Sequence, residues 1–218
     1  MPKPTTFTSE AILESAFILF ANEGLASLSV RKIAAELGAS TGPIYSCFSG
    51  MDAIHEALFQ LAMDKLLRMT EHEYTSNPFL NIGVGTLDFA RTYPIVFRAI
   101  FLEDKRSKDI YNKFFAANRK QMRKSRELEV FTEEEVSSIL EKLTIHTYGL
   151  ASMICAGIID CPDTEKLIDL LQTTGGDIIG ATAFLAGKWD AFTIHAKEVY
   201  QSDSGCPCTQ TSVENNHR

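Results

Sequence analysis

The chain has 218 residues and a formal net charge of −7, from 21 Lys+Arg against 28 Asp+Glu. That length supports one or two domains with a core of their own, without disulfide or metal staples. The acidic balance argues against a partner held by global charge alone, such as nucleic acid or an anionic membrane, but not against a local basic surface. The N-terminal stretch MPKPTTFTSE has no apolar signal core. The most apolar run, residues 149–159, falls short of the ~20 residues that span a bilayer. Cys47, Cys155, Cys161, Cys206 and Cys208 form no disulfide framework, being odd in number and without paired spacing. The expectation is a soluble, reduced, cytoplasmic protein with no membrane partner.

In chain order, residues 8–23 read as a helix. Thr8 can cap it, Glu10 suits its positive end, and Gly24 stops it. Ile12, Leu13, Ala16, Phe17 and Phe20 make its apolar stripe. A second helix starts at Ser29 and stops at Gly38, burying Val30, Ile33, Ala34 and Leu37. A very short third helix runs from Ser40 to near Phe48, and a long amphipathic fourth runs from Asp52 to about Glu73. Beyond Asn77-Pro78, helices are expected at 79–92, 94–103 and 106–129. Thr132 and Glu135 are spaced as a capping box opening a helix to about Ile159. A turn at Cys161-Pro162-Asp163 leads to a helix from Thr164 to about Gly187, weakened inside by Gly175-Gly176. Residues 188–200 place Trp189, Phe192, Ala196 and Val199 on one face, and the chain from Ser202 is polar and small, as in disorder. The fold expected is all-α: a helix-turn-helix unit over residues 1–50, a helical bundle over 51–200, and a disordered tail over 201–218.

The stretch Ser29 to Phe48 meets the requirements of a helix-turn-helix. Ala34 is small where the helices cross, and Gly38 tolerates positive φ at the turn. Ile33, Leu37, Ile44 and Cys47 are apolar groups to hold the second helix on the first, while Thr41, Tyr45 and Ser46 give it a polar outer face. Such a helix can enter a major groove ~12 Å wide with its N-terminal residues at the base edges.

Residues 8–60 resemble the TetR family of transcriptional regulators. The likeness is carried by Thr8-Ser-Glu-Ala-Ile-Leu-Glu-Ser-Ala, Phe20-Ala-Asn-Glu-Gly24, Leu28-Ser-Val-Arg-Lys-Ile-Ala34 and Leu37-Gly-Ala-Ser-Thr-Gly-Pro-Ile-Tyr-Ser-Cys-Phe48. Farther along, Tyr-Gly-Leu-Ala-Ser-Met at 148–153 is similar to a segment of many members. The resemblance implies an Ω-shaped homodimer whose N-terminal units each read half of a double-stranded operator and whose C-terminal bundle binds a small ligand. It implies that Ser29 caps the second helix against a phosphate and that Ser40 and Thr41 begin the recognition helix. It further implies close backbone approach at Gly42, packing of Pro43 on a thymine methyl, a phosphate bond from Tyr45, and a base or phosphate contact from Ser46. Phosphate contacts position such a protein and base contacts specify the sequence. The chain departs from the family at Thr41, often Lys, at Cys47, often aromatic, and at Gly50-Met51, where Lys is usual. Residues 1–60 carry only Lys3, Arg31 and Lys32 against six carboxylates, and each missing phosphate contact lowers affinity and flattens its salt dependence.

Other constellations have plainer readings. Residues 105–126 carry a net charge of +8, and residues 127–141 are acidic without a base. A solvated basic face paired with the acidic one is favoured over an anion or nucleic-acid site. Aromatic residues are dense at 79–115. Phe59, Met63, Phe89, Tyr93, Phe97, Phe101, His146 and Tyr148 are the candidates to line an apolar ligand pocket, against a core role for each. Cys206-Pro-Cys208 lacks further ligands for zinc. No nucleophile elbow, zinc-binding His-Glu-x-x-His or phosphate-cradling glycine loop is present. The expectation is a ligand-responsive, homodimeric DNA-binding regulator, a repressor and not an enzyme, with no catalytic residue, metal or cofactor. Its helices at 133–159 and 164–187 pack with their mates through Gly149-Leu-Ala-Ser and Gly180-Ala-Thr-Ala. The alternative is a small-molecule-binding module of the same family with weak or lost DNA binding.

Overall fold

The computed structural model describes residues 7–103, 107–160 and 163–194. Among them all regular structure is helical. Helix α1 (Ser9–Glu23) is capped by the Thr8 hydroxyl, which accepts from the amide of Ala11 at 3.2 Å. Its face of Ile12, Ala16, Phe17 and Phe20 is buried. Helix α2 (Val30–Leu37) is capped by Ser29 and ends at Gly38, whose φ of 68° and ψ of 32° lie in the left-handed region. That conformation costs an L side chain about 1–2 kcal/mol, so glycine fits the turn. Helix α3 (Gly42–Cys47) begins two residues later than its sequence suggests. Pro43 sits in its first turn, where the missing amide proton costs nothing.

Helix α4 (Met51–Glu71) starts against α1, where Phe20 meets Phe59 at 6.4 Å between ring centres, and then runs beside α5 (Pro78–Thr92). The two backbones nearly touch at Gly85. A Cβ placed there would lie 2.2 Å from the carbonyl oxygen of Met69, so no other residue fits without moving the helices apart. Asn77 caps α5 through its side-chain oxygen, which accepts from the amides of Phe79 and Leu80.

Two expected helices, at 94–103 and 106–129, are well short of their sequence pattern. The segment 94–103 divides into α6 (Pro94–Arg98) and a wider π-turn over Ala99–Glu103. Helix α7 (Ser107–Met122) stops seven residues early, followed by a 3₁₀ turn at Arg126–Leu128. Met122 and Leu128 are both fully buried in one cluster. Six residues apart in a continuous helix they would point about 120° apart, so the chain turns to bury both. Helix α8 (Glu133–Cys155) opens with the expected capping box: the amide of Glu135 donates to the Thr132 hydroxyl and Glu135 accepts from the amide of Thr132. It closes with the amide of Ile158 on the carbonyl of Met153 at 2.9 Å. Helix α9 (Thr164–Leu185) is capped by Asp163, and its Gly175-Gly176 pair stays helical. Residues 189–194 form a further turn of helix. Ala196, Val199, Cys206, Cys208 and the tail lie outside the described residues, as do Lys105 and Arg106.

One apolar core runs without interruption from Ile12 in α1 through α4, α5 and α6 to Leu171 in α9. A second, around Met122, Phe131, Ile139 and Ala183, joins the ends of α7, α8 and α9. The N-terminal unit is therefore seated on the bundle through packed side chains: Phe17 of α1 meets Tyr93, at the α5–α6 junction, edge-on at 5.3 Å.

Candidate nucleic-acid interface and cavity

Helix α3 is held by one deep anchor. Ile44 is fully buried, as is Ile33 below it on α2, and Ala34 at their crossing is nearly so. Cys47 does not share this role. It is exposed at the last residue of α3, with its sulfur 4.0 Å from the carbonyl oxygen of Phe7, and Ile44 is the buried residue of the helix. The outward residues of α3 are polar or small. Tyr45 is 61% exposed. Ser46 is exposed and its hydroxyl donates to the carbonyl of Gly42 at 3.1 Å. Ser40 and Gly42 are exposed, while Thr41 and Pro43 are half-buried. Ser29 stands at the start of α2, its hydroxyl accepting from the amide of Lys32 at 3.2 Å. Six of these seven residues lie in α3 or in the turn before it, and Ser29 caps α2.

Charge on this edge is sparse. Lys32 is tied to Glu23 at 2.6 Å, and that hydrogen bond and charge hold the Glu23 carboxyl below the usual carboxylate range. Among the described residues up to position 60, Arg31 is the cation outside an ion pair.

The bundle contains a cavity between α5, α7, α8 and α9, with about 70 Å³ of free space. Its walls are mainly apolar, and its polar groups are all neutral: Asn77, Thr86, Asn118, Thr144, Thr147, Tyr148 and Gln172. Several are committed. Thr86 donates to the carbonyl of Ile82 at 2.8 Å, Thr144 to that of Leu140 at 2.6 Å, and Asn77 caps α5. The Tyr148 hydroxyl is buried without a partner among the described residues, and burial raises its pKa well above that of an ordinary phenol.

Of the candidate pocket residues, Tyr148 lies on this cavity. Phe89 and Phe97 are fully buried in the core, and Phe101 nearly so. Phe97 and Phe101 are not on the cavity wall but contact Tyr148 at 5.6 and 5.1 Å between ring centres, and Phe101 also meets the lining residue Phe114 at 6.1 Å. Tyr93 bridges to α1. Phe59 and Met63 line a separate hollow of about 260 Å³ between α4 and α7, beside Asp109 and Lys113. His146 is half-buried on α8, its Nε2 without a partner among the described residues, and it is not on the cavity wall. Thr86, Asn118 and Thr147 were not among the expected site residues. Their signal is a polar side chain inside a buried stripe, as Thr147 stands between Leu143 and Ala151.

The basic stretch has partners. Arg119 and Arg123 both pair with Glu133 at 2.6 Å, and these bonds lower the Glu133 pKa. Lys188 pairs with Glu135 at 2.5 Å, likewise lowering its pKa. The plainer reading of residues 105–141 thus holds for these groups.

Residues 12–58 match the family model for bacterial regulatory proteins of the tetR family. The N-terminal unit is a TetR-family unit. The fold beyond it agrees. A tetR-family transcriptional regulator from Streptomyces coelicolor superimposes with a TM-score of 0.70 at 15% identity, covering 87% of this chain and 88% of its own. A TetR-like transcriptional regulator from Rhodococcus sp. RHA1 gives 0.55 at 17% identity, covering 86% and 100%. A protein from Saccharomonospora viridis, solved in complex with choline, gives 0.52 at 20%, covering 75% and 93%. No curated protein sequence matches the chain. The chain thus has the TetR-family architecture, a helix-turn-helix unit joined to a helical C-terminal bundle. Among the described residues no helix is long and apolar enough to cross a membrane.

Proposed function

We propose that this protein is a ligand-responsive transcriptional repressor of the cytoplasm, without enzymatic activity, that binds a near-palindromic operator as a homodimer. The observation that carries this reading is α3 itself: a short helix anchored by Ile44 with Tyr45 outermost, within a TetR-family unit. Ser29, Ser40, Thr41, Gly42, Pro43, Tyr45 and Ser46 form the DNA-contacting edge, and residues 1–50 act as the reading unit. Residues 51–200 form the ligand-binding and dimerisation unit, followed by the tail at 201–218.

Support for the dimer comes from the outer faces of α8 and α9. Ile145 and Met153 are 67% and 40% exposed, and Phe184 and Leu185 are 71% and 84% exposed. Large exposed apolar groups favour a protein contact over water where they lie together. Gly149 faces open space on α8 and so allows a close mate, whereas the space over Gly180 is taken by Trp189 of the same chain. Two recognition helices ~34 Å apart would read successive turns of one DNA face. A ligand would release DNA only by as much as it favours a different spacing of the two units. The contacts from Tyr148 through Phe97 on α6, and from Tyr93 to Phe17 on α1, give cavity and reading unit a shared packed core.

A mobility shift with DNA from the protein's own promoter tests the reading. Sequence-dependent binding that weakens in Tyr45→Ala and Thr41→Ala is expected. Unchanged affinity in both variants refutes the assigned edge. The second reading, a small-molecule-binding module with weak or lost DNA binding, is favoured by the scarcity of free cations near α3. It predicts ligand-induced thermal stabilisation without a shift at any salt concentration.

A further inference from the structure

We propose that the cavity between α5, α7, α8 and α9 takes an uncharged, predominantly apolar molecule bearing a hydrogen-bond-accepting oxygen such as a ketone or ester carbonyl, held by Asn118, Thr147 and Tyr148. The proposal rests on the ligand-responsive reading and adds the chemical class of the ligand. Among the described residues, no Asp, Glu, Lys, Arg or His lines this cavity. A buried ion without an opposite charge is costly to desolvate, so an ammonium or carboxylate group finds nothing here to offset its loss of water.

Neutral groups remain to be satisfied. Asn118 is 4% exposed and Thr147 is 8% exposed, and neither side chain makes a hydrogen bond among the described residues. The Tyr148 hydroxyl, unlike the polar atoms of these two, is itself fully buried, and it too lacks a partner among the described residues. Buried polar groups are nearly always paired, and polar groups left open on the α7 and α8 walls of one cavity mark a place for something that pairs them. All three carry an N–H or O–H and can donate. Burial keeps the Tyr148 phenol protonated and thus a donor. The complement of three donors on an apolar wall is an acceptor oxygen on an apolar body.

Size sets a second condition. The free space of about 70 Å³ is below the ~300 Å³ at the lower end of ordinary ligand pockets. A ligand larger than a few heavy atoms therefore has to part the walls. Phe114 and Asn118 are on α7, and Leu171 and Gly175 on α9. Binding is thus coupled to a displacement of α7 or α9 against α5 and α8.

Three chain-matched probes test the class: octan-2-one, octanoate and octylammonium, with choline as a further cation. Each is titrated against the full-length protein by calorimetry and by thermal unfolding. The expected result is saturable binding and a rise in Tm with octan-2-one, at least ~10-fold tighter than with any charged probe. Thr147→Val and Tyr148→Phe should each weaken ketone binding while the free proteins unfold as cooperatively as the parent. Asn118→Leu should do the same, and if it fails to fold the other two variants decide. Tighter binding of octanoate, octylammonium or choline overturns the proposal. So does absence of saturable ketone binding, or ketone binding unaffected in all folded variants. The same samples are run in the promoter mobility shift. Absence of a DNA shift from the probe-free protein, with ketone binding intact, defeats the regulator reading alone, while a normal probe-free shift with the wrong probe preference defeats the ligand class alone.

Discussion

At the scale of single residues, function and stability pull in different directions at Tyr148. Its hydroxyl is buried and unpaired, and an unsatisfied buried donor costs about 1–3 kcal/mol. Tyr148→Phe keeps the ring contacts with Phe97, Phe101 and Tyr111 and removes only that donor. Chemical denaturation of the free variant should therefore show a gain of about 1 kcal/mol; a loss of that size would mean that the hydroxyl is satisfied in solution. The residue was legible in the sequence as an aromatic near a pocket, but Asn118 and Thr147 were not. Periodicity marks which positions face inward, and it does not separate a core wall from a cavity wall. For the same reason Phe89 and Phe97 were candidates for a ligand surface although both are fully buried. Cys47 differs, since its apolarity and its spacing from Ile44 both say inward, yet at the last residue of α3 it is exposed.

At the scale of helices, the starts were easier to read than the ends. Thr8, Ser29 and the Thr132–Glu135 box cap where their side chains can reach a free amide, which is a sequence-local condition. The ends of α6 and α7 depend on distant packing, as the burial of both Met122 and Leu128 shows. The α4–α5 crossing is another tertiary fact hidden in one residue. Gly85→Ala drives a methyl group into the Met69 carbonyl, and a destabilisation of about 1–3 kcal/mol is expected in urea unfolding; a neutral effect would refute the close crossing. The charged ends of α8 add a pH dependence. Glu133 and Glu135 have native pKa values lowered by Arg119 and Arg123 and by Lys188. Their unfolded-state values are higher, so the stabilisation is complete above the ordinary carboxylate range and is lost as pH falls through the lowered native values. Acid titration of Tm should show this loss reduced in Glu135→Gln. An identical acid limb would show that the Lys188 pair contributes nothing, as some exposed pairs do.

At the scale of the whole molecule, the acidic balance of −7 takes on a definite meaning. Much of the chain's positive charge lies in residues 105–126, outside the helix-turn-helix unit, and Arg119 and Arg123 are already paired there. Little cationic charge is left beside α3. The proposed dimer face adds a separate expectation. Phe184→Asp with Ile145→Asp should convert a dimer to monomers in sedimentation, whereas an unchanged mass would move the interface elsewhere. Because a two-fold pair of units presents few free cations, the operator should be held mainly by hydroxyl, backbone and aromatic contacts. The most direct test is the affinity for promoter DNA across a range of salt concentrations, for the parent and for Tyr45→Ala. The account predicts specific binding at low salt, a log–log salt slope of magnitude below about 4, and at least a ~10-fold loss in the variant. No specific binding even at low salt, or binding indifferent to Tyr45, would contradict it.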